Sequence, residues 1–237
     1  MSGMTEQAAT GTPATGTPGI DVPDRRGRTG LDREGLDLTG NPRVRVEEVR
    51  LLTSNWYITR TTRLAFQHRD GHWSTEERET YDRGNGATVL LYDPTRRTVL
   101  LIRQFRYPAY VNGHPDGMLL EVPGGLLDDD APEEAVRREA QEETGYRIGE
   151  VEHLFDVYMS PGSVTEKLYF YAASYDAAAE GASTRTDAGG GLAEEGEDIE
   201  LVELGIDEAL SRIGTDIVDA KTIMLLQWAA LSGPFRR

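Results

Sequence analysis

One segment, residues 124–146, limits most strongly what this chain can fold into, because it encodes a glycine-rich loop followed by an acidic helix. Asp130 suits the N-cap position, and Pro132 fits the first helical turn, where its missing N–H costs little. Gly145 stands where a helix usually stops. The sequence therefore predicts a helix over roughly residues 131–144.

The acidic residues of this helix are clustered on one face. Glu139 is three residues before Glu142 and four before Glu143, so the three carboxylates share about one turn. Like charges in this arrangement repel, and helix stability alone does not explain them, whereas hard divalent cations take oxygen ligands in such a cluster. Arg138, one turn before Glu142, can hold that carboxylate in place. The alternative is an ordinary acidic helix whose charged face is solvated.

The spacing of the segment resembles the Nudix box, G-x5-E-x7-R-E-U-x-E-E-x-G-U, where U is a bulky hydrophobic residue. The matching positions are Gly124, Arg138, Glu139, Glu142, Glu143, Gly145 and Tyr146, with Ala140 at the aliphatic position. One position departs, because Asp130 stands where the family has its first Glu. The resemblance implies a metal-dependent hydrolase, and the departure leaves the role of Asp130 open.

Composition sets the outer bounds of the interpretation. The chain has 237 residues, of which 38% are hydrophobic, enough for one domain with a polar tail. No apolar run approaches the roughly 18 residues of a membrane span, and the absence of Cys excludes disulfides and thiolate metal sites. The net charge of −16 argues against a nucleic-acid partner. Without a recognisable signal peptide, we expect a cytoplasmic protein with no membrane partner.

The distribution of hydrophobic residues predicts three regions. Residues 1–42 are rich in Gly, Thr, Pro and Asp, which predicts a disordered tail. Residues 43–84 predict an N-terminal β-domain, because their β-rich stretches lead to a turn at Arg69-Asp70-Gly71 and a return strand toward Tyr81. Residues 85–237 form the domain with the box. Predicted strands lie at 44–46, 56–59, 87–92, 98–105, 119–122, 151–158, 168–173 and 199–204, and further helices at 207–213 and 220–231. This pattern favours an α+β fold.

Several shorter motifs extend the resemblance to about residues 44–232. They are similar to the GDP-mannose pyrophosphatase branch of the nucleoside-diphosphate-sugar Nudix hydrolases, and they lie at 81–87, 101–106, 111–113, 125–128, 158–162, 188–191 and 197–200. The resemblance implies an α/β/α sandwich around a mixed sheet. It also implies that the preceding antiparallel β-domain serves dimerisation, so a homodimer is expected.

The same resemblance implies a set of metal ligands. The expected ion is Mg²⁺, with Mn²⁺ as a substitute, and the implied ligands are the carbonyl of Gly124 with Glu139, Glu143 and Glu197, plus Glu142 if several ions bind. Glu142 and Arg138 are also expected to take part in catalysis. Glu197 lies outside the box in a run of acids, so a solvated surface acid is its alternative interpretation.

The substrate contacts are implied in the same way. Glu166, in the polar loop of residues 159–166, is expected to act as a mobile catalytic base, and a solvent-exposed loop acid is the alternative. The implied substrate-binding residues are Trp56, Arg78, Arg106, Gly125 and Lys221. Trp56 is equally compatible with a core position, and Arg106 with an ordinary surface site. Glu77 stands where the GDP-mannose enzyme has Lys, so contacts near Arg78 are expected to differ.

Together these observations predict an enzyme that uses Mg²⁺ to hydrolyse a nucleoside diphosphate sugar. GDP-mannose, giving GMP and mannose 1-phosphate, is the first expected substrate. ADP-ribose is the alternative, because the lead-in at residues 121–125 also resembles that branch. A non-catalytic module that senses a nucleotide is the alternative from another class. Such modules usually lose box glutamates, and here Glu139, Glu142 and Glu143 are all present.

Overall fold

The computed structural model describes residues 40–54, 57–128, 130–175, 183–192 and 196–236. Most of the predicted tail at 1–42, the predicted substrate-binding residue Trp56 and residues 176–182 and 193–195 therefore lie outside the described residues. The described residues divide into two compact units, 40–80 and 81–236.

The first unit is a three-stranded antiparallel sheet in the order β1-β2-β3. Its strands are β1 (Val44–Ser54), β2 (Ile58–Gln67) and β3 (Trp73–Asp82). β1 pairs with β2 from Val44 opposite Phe66 to Ser54 opposite Ile58. The turn between β2 and β3 lies at the predicted Arg69-Asp70-Gly71, and the His68 N–H donates to the His72 carbonyl at 2.7 Å across it.

The second unit is built on a mixed sheet, which contains seven strands among the described residues. They are β4 (Gly86–Asp93), β5 (Thr98–Phe105), β6 (Met118–Glu121), β7 (Gly124–Leu126), β9 (Glu152–Tyr158), β10 (Lys167–Ser174) and β12 (Glu200–Gly205). β10 runs parallel to β4, and the other pairs in the sheet are antiparallel. A separate pair joins β8 (Tyr146–Arg147) to β11 (Thr184–Arg185). This arrangement confirms the predicted α+β fold with a mixed sheet after an antiparallel one.

Helices cover both faces of the mixed sheet because its central strand is apolar on both sides. In β4, Val89 and Leu91 face one core, whereas Leu90 faces the other. The first core is closed by α2 (Pro132–Thr144), and the second by α3 (Ile206–Ser211) and α4 (Ala220–Leu231). A short helix α1 (Tyr107–Val111) follows β5. Strands buried on both faces are typical of layered α/β/α packing.

Two local features differ from the sequence-based expectation. Residues 124–126, predicted as a loop, form β7 and pair with the first residues of β4. Glycines allow this close approach, since a Cβ on Gly86 would lie 2.7 Å from the Gly125 carbonyl oxygen. The α2 N-cap is Ala131 rather than Asp130. Asp130 instead accepts a hydrogen bond from Arg138 Nε at 3.1 Å, a pairing that competes with capping.

Across the described ranges, no helix combines the length and the hydropathy that a membrane span requires.

Candidate active site

The core-facing stripe of α2 carries a carboxylate into the protein interior. Val136, Ala140 and Glu143 are spaced by four and three residues, so they lie on one face, and all three are buried. Glu143 is only 2% exposed, and its Oε2 accepts a hydrogen bond from the Gly124 N–H at 2.8 Å. The predicted metal ligands Gly124 and Glu143 are therefore adjacent.

Arg138 organises the neighbouring acids. Its guanidinium donates to Glu139 at 2.9 Å and to Glu142 at 3.4 Å, and it also reaches Asp130 and the Leu126 carbonyl. Gly125 lies against this group, because a Cβ at that position would be 2.5 Å from either Glu139 carboxylate oxygen. The structure thus brings together six predicted site residues on α2 and β7, namely Gly124, Gly125, Arg138, Glu139, Glu142 and Glu143.

Glu197, which lies outside the box, is held near the same helix by a glycine segment, residues 189–191. The N–H groups of Gly190 and Gly191 donate to the carbonyls of Glu143 and Glu142 at 2.9 and 3.0 Å, and so cap the end of α2. Glu197 Oε2 accepts from the Leu192 N–H at 2.8 Å. One short segment therefore links the last turn of α2 to Glu197.

The surroundings of this acid cluster disfavour the ionised form of its carboxylates. Burial raises the pKa of Glu139 to about 7, helped by Glu142 and Glu197 and opposed by Arg138. Burial also raises the pKa of Glu143 well above its usual range, with Glu139 and Glu197 adding to the effect and the Gly124 N–H opposing it. Each carboxylate is therefore costly to ionise in the presence of the others.

The donor set suits a hard divalent cation, since it consists of carboxylates and a carbonyl oxygen. A cation among Glu139, Glu143 and Glu197 would relieve both the burial penalty and the mutual repulsion. Among the residues that the structure describes, no three acidic or His side chains converge into a ready-made cation site. Two of the acids, Glu139 and Glu142, point to Arg138 instead. Binding would therefore require these side chains to rotate toward the ion.

A second cluster contains two of the three predicted cationic substrate contacts, Arg106 and Lys221. Arg106, directly after β5, forms an ion pair with Glu121 at 2.7 Å, and Lys221 on α4 approaches the same carboxylate at 3.3 Å. Lys221 also pairs with Asp219 at 2.9 Å. Arg106 also contributes to the electrostatics of Glu143 on α2. The fold thus unites two residues that are 115 positions apart in the chain.

Glu166, the predicted base, is neither exposed nor in an untethered loop. It is 9% exposed, immediately precedes β10, and lies 3.4 Å from Arg83 Nε. The loop before it is fixed to Tyr81, whose N–H donates to the Ser163 carbonyl at 2.8 Å and whose carbonyl accepts from the Thr165 N–H at 3.1 Å. The alternative interpretation, a solvent-exposed loop acid, is therefore wrong, and the catalytic role of Glu166 stays a prediction.

The remaining predicted contacts belong to the first unit. Arg78 is an exposed residue of β3 that forms an ion pair with Glu76 and donates to the Glu77 carbonyl at 2.9 Å. Trp56 lies outside the described residues. The substrate-binding roles of both residues stay predictions.

Sequence reasoning assigned no role to Glu121, Asp219 and Arg83, which are charged partners of Arg106, Lys221 and Glu166. For Glu121 a signal existed, because it is an acid within an apolar segment that predicts a buried strand, where a charge needs a partner. Arg83 carries no such signal, since it lies in a polar stretch. Asp219 stands directly before a predicted helix, a position that indicates an N-cap rather than a site residue.

Comparison with known proteins agrees with the resemblance that the sequence motifs indicate. The NUDIX domain family model matches residues 82–209, and the model of the GDP-mannose pyrophosphatase NudK N-terminal domain matches residues 43–81. A GDP-mannose pyrophosphatase of Pectobacterium atrosepticum is 50% identical over 195 residues, covering 82% of this chain and 97% of that protein. One from Yersinia enterocolitica is 50% identical over 193 residues, covering 80% and 97%.

A solved structure, described as the crystal structure of ADP compounds hydrolase, superposes with a TM-score of 0.59 at 18% identity. It covers 79% of this chain and 94% of that one, and at this identity it shows the fold alone. Nudix enzymes generally use divalent metal ions, which agrees with the oxygen-rich donor set of α2. The family match over more than half of the chain, together with the box residues assembled around Glu143, means that this chain belongs to the Nudix hydrolase family.

Proposed function

We propose that this chain is a Mg²⁺-dependent enzyme that hydrolyses the pyrophosphate bond of GDP-mannose to GMP and mannose 1-phosphate. One observation carries the proposal: relatives named GDP-mannose pyrophosphatase are 50% identical over 97% of their length. The acid cluster on α2 and the cluster of Arg106 and Lys221 support the proposal. A pyrophosphate diester needs cations around its phosphates and a base for the attacking water, and these residues could hold a metal ion and contact phosphate oxygens.

The expected reaction is a displacement at phosphorus. The water oxygen forms a bond to one phosphorus, the bridging P–O bond breaks with its electron pair leaving on the other phosphate, and the water proton passes to a base. A bound divalent cation would neutralise phosphate charge and lower the pKa of water. From the chain itself, Arg106 and Lys221 would contact phosphate oxygens, and Glu166 would accept the proton. Arg83, 3.4 Å from Glu166, would orient that carboxylate.

The acid cluster would supply the metal ligands. Glu139, Glu143, Glu197 and the Gly124 carbonyl would hold Mg²⁺, with Glu142 as a further ligand. Arg138 would keep Glu139 and Glu142 oriented in the absence of the ion, given its present contacts with both. Mn²⁺ should replace Mg²⁺, because it has the same charge and accepts the same oxygen ligands.

We also propose that the protein is a homodimer formed through its N-terminal β-domain, residues 43–84. In the described part of the 40–80 unit, only Val49 and Ile58 are buried apolar side chains. A three-stranded sheet needs an apolar face covered to be stable on its own, and a second copy would supply this cover. Light scattering on the eluted peak of a sizing column tests this proposal, and a monomer at micromolar concentration contradicts it.

The activity is tested with the purified full chain and Mg²⁺ on GDP-mannose, GDP-glucose, UDP-glucose and ADP-ribose, with products separated by anion-exchange chromatography. We expect the highest kcat/KM with GDP-mannose. ADP-ribose is the second candidate, because residues 121–125 resemble that branch, and a preference for it of about tenfold or more would replace the first assignment. Nucleotide binding without turnover would indicate the non-catalytic sensing module instead.

A further inference from the structure

Glu121 is a buried carboxylate with donors from three directions. It ends β6 and is 3% exposed. Arg106 donates to it through Nε at 3.1 Å and Nη2 at 2.7 Å, Gln104 Nε2 donates at 3.3 Å, and Lys221 Nζ lies 3.3 Å away. A buried carboxylate that accepts this many hydrogen bonds is fixed in place and fixes its partners in turn.

The cluster is tied to the backbone of two elements. Asp219 is the N-cap of α4 and accepts from the Thr222 N–H at 2.9 Å, and it also pairs with Lys221. The Thr222 hydroxyl in turn accepts from the Val122 N–H, the residue after Glu121, at 2.8 Å. This hydrogen bond joins the end of β6 to the first turn of α4, so it limits how far Glu121 and Lys221 can separate.

Charge and exposure are divided unequally within the cluster. Two acids, Glu121 and Asp219, balance two bases, Arg106 and Lys221. The Glu121 side chain is 4% exposed, whereas that of Arg106 is 39% exposed. Burial alone would raise the pKa of Glu121, but Lys221 and Arg106 outweigh it and lower the pKa to about 2. The Glu121 carboxylate is therefore buried, whereas the side chain of its partner Arg106 reaches the surface.

We propose that Glu121 is a positioning residue for catalysis, which fixes Arg106 and Lys221 at a set separation so that both can meet the phosphate oxygens of one substrate. The inference rests on the proposed function, since it takes both cations as phosphate contacts. Without the carboxylate between them, the two cations would repel, and the long Arg106 side chain would sample many rotamers. Misplacement of a phosphate contact by about 1 Å is enough to cost catalysis heavily.

The competing explanation is that the cluster only stabilises the fold. The two explanations differ in whether the effect of Glu121 passes through Arg106. A positioning residue loses its kinetic effect once the residue it positions has been removed, whereas two independent effects add. The decisive measurement is therefore a double-mutant cycle on kcat and KM for GDP-mannose, made on folded enzyme at saturating Mg²⁺.

The cycle uses Glu121→Gln, Arg106→Met and the double variant. We expect Glu121→Gln to lower kcat/KM on the order of 10- to 100-fold, with the same division between KM and kcat as Arg106→Met. In the Arg106→Met background, Glu121→Gln should lower kcat/KM several-fold less than in the wild-type background, because only its effect through Lys221 remains. Glu203→Gln is the matched control, because it also removes a glutamate that takes a two-pronged ion pair from an arginine, Arg96, and should leave kcat/KM unchanged.

Equal losses from Glu121→Gln in the wild-type and Arg106→Met backgrounds would overturn the proposal, as would an unchanged kcat/KM in the single variant. If Glu121→Gln does not fold, the cycle of Arg106→Met with Lys221→Met replaces it. Cations held by one carboxylate should then show non-additive losses, and additive losses overturn the proposal. Failure of the proposed function is a separate result, since it appears as wild-type enzyme with no turnover of any nucleotide sugar.

Discussion

Glu121 and Glu143 are the same residue type at almost the same depth, 3% and 2% exposed, yet their surroundings are opposite. Glu121 faces Arg106 and Lys221, and its pKa falls to about 2 although burial alone would raise it. Glu143 faces Glu139 and Glu197, and burial together with these acids raises its pKa well above the usual range. The first cluster carries as many bases as acids, whereas the second has Arg138 for its four acids, so most of its counter-charge is missing. A site that binds an external cation should have such an excess of acids, because the cation then supplies the counter-charge.

The largest expected effect concerns this missing counter-charge. EDTA should abolish activity, and Mg²⁺ or Mn²⁺ should restore it. Glu143→Gln should lower kcat by roughly 10³-fold, because it removes a ligand charge while keeping the side-chain volume. Glu133→Gln is the control on the same helix, since Glu133 is an exposed acid paired with Arg137. Near wild-type turnover of Glu143→Gln would refute the metal assignment.

The stability of the metal-free protein should separate the two glutamates. The folded-state pKa of Glu121 lies below the ordinary 4.5, so its charge contributes stability above pH 4.5 that is lost toward pH 2. The pKa of Glu143 is raised above 4.5, so its ionisation costs stability as the pH rises. With EDTA at about pH 8, Glu121→Gln should lower the free energy of unfolding by about 3 kcal/mol, whereas Glu143→Gln should raise it.

Urea denaturation followed by far-UV circular dichroism measures both variants. If the free energy of unfolding changes with the same sign in both variants, the contrast between Glu121 and Glu143 is wrong. Their surroundings would then not differ in charge as the contacts indicate.

A third buried glutamate, Glu166, sharpens the comparison, because it pairs with an arginine, Arg83, and is the predicted base. If it is the base, Glu166→Gln should cut kcat by roughly 10²-fold, flatten the acidic limb of the pH–rate profile and leave Mg²⁺ affinity unchanged. Glu139→Gln should instead weaken Mg²⁺ binding and recover partly at high Mg²⁺. Turnover titrated with Mg²⁺ for both variants decides the matter. If Mg²⁺ rescues Glu166→Gln, then Glu166 is a ligand and the base lies elsewhere, with Glu142 the first candidate.

The smallest expected effect is on metal affinity, and it tests whether Glu197 belongs to the cation site. Gly190 and Gly191 both have positive φ, 116° and 79°, so alanine strains the backbone at either position. Only at position 191 would the new Cβ meet Glu197, 2.5 Å from Oε2, whereas at 190 the nearest atom is 3.9 Å away. Gly191→Ala should therefore weaken Mn²⁺ binding about tenfold more than Gly190→Ala. Calorimetry of the two variants measures this, and equal affinities would remove Glu197 from the cation site.

Much of the fold could be predicted from the sequence because the signals are local. Pro132 in the first turn and the stop at Gly145 confine α2 to within one residue of the predicted range. Continuous apolar runs predicted β4 and β5, since strands covered on both faces need few polar residues. The error at residues 124–126 has the same origin, because a glycine pair signals a turn locally and pairs with β4 only through tertiary contact.

For the site, the sequence by itself determined the three carboxylates on one face of a helix, because the helical repeat alone sets that geometry. Only the tertiary structure decided which of them is buried and which charges meet across the chain. Arg106 and Lys221 converge on Glu121 because β5, β6 and α4 pack together, and Glu166 meets Arg83 because its loop is fixed to Tyr81. The strength of a charge in a protein depends on its burial and its partners, and both are set by contacts between residues distant in the sequence.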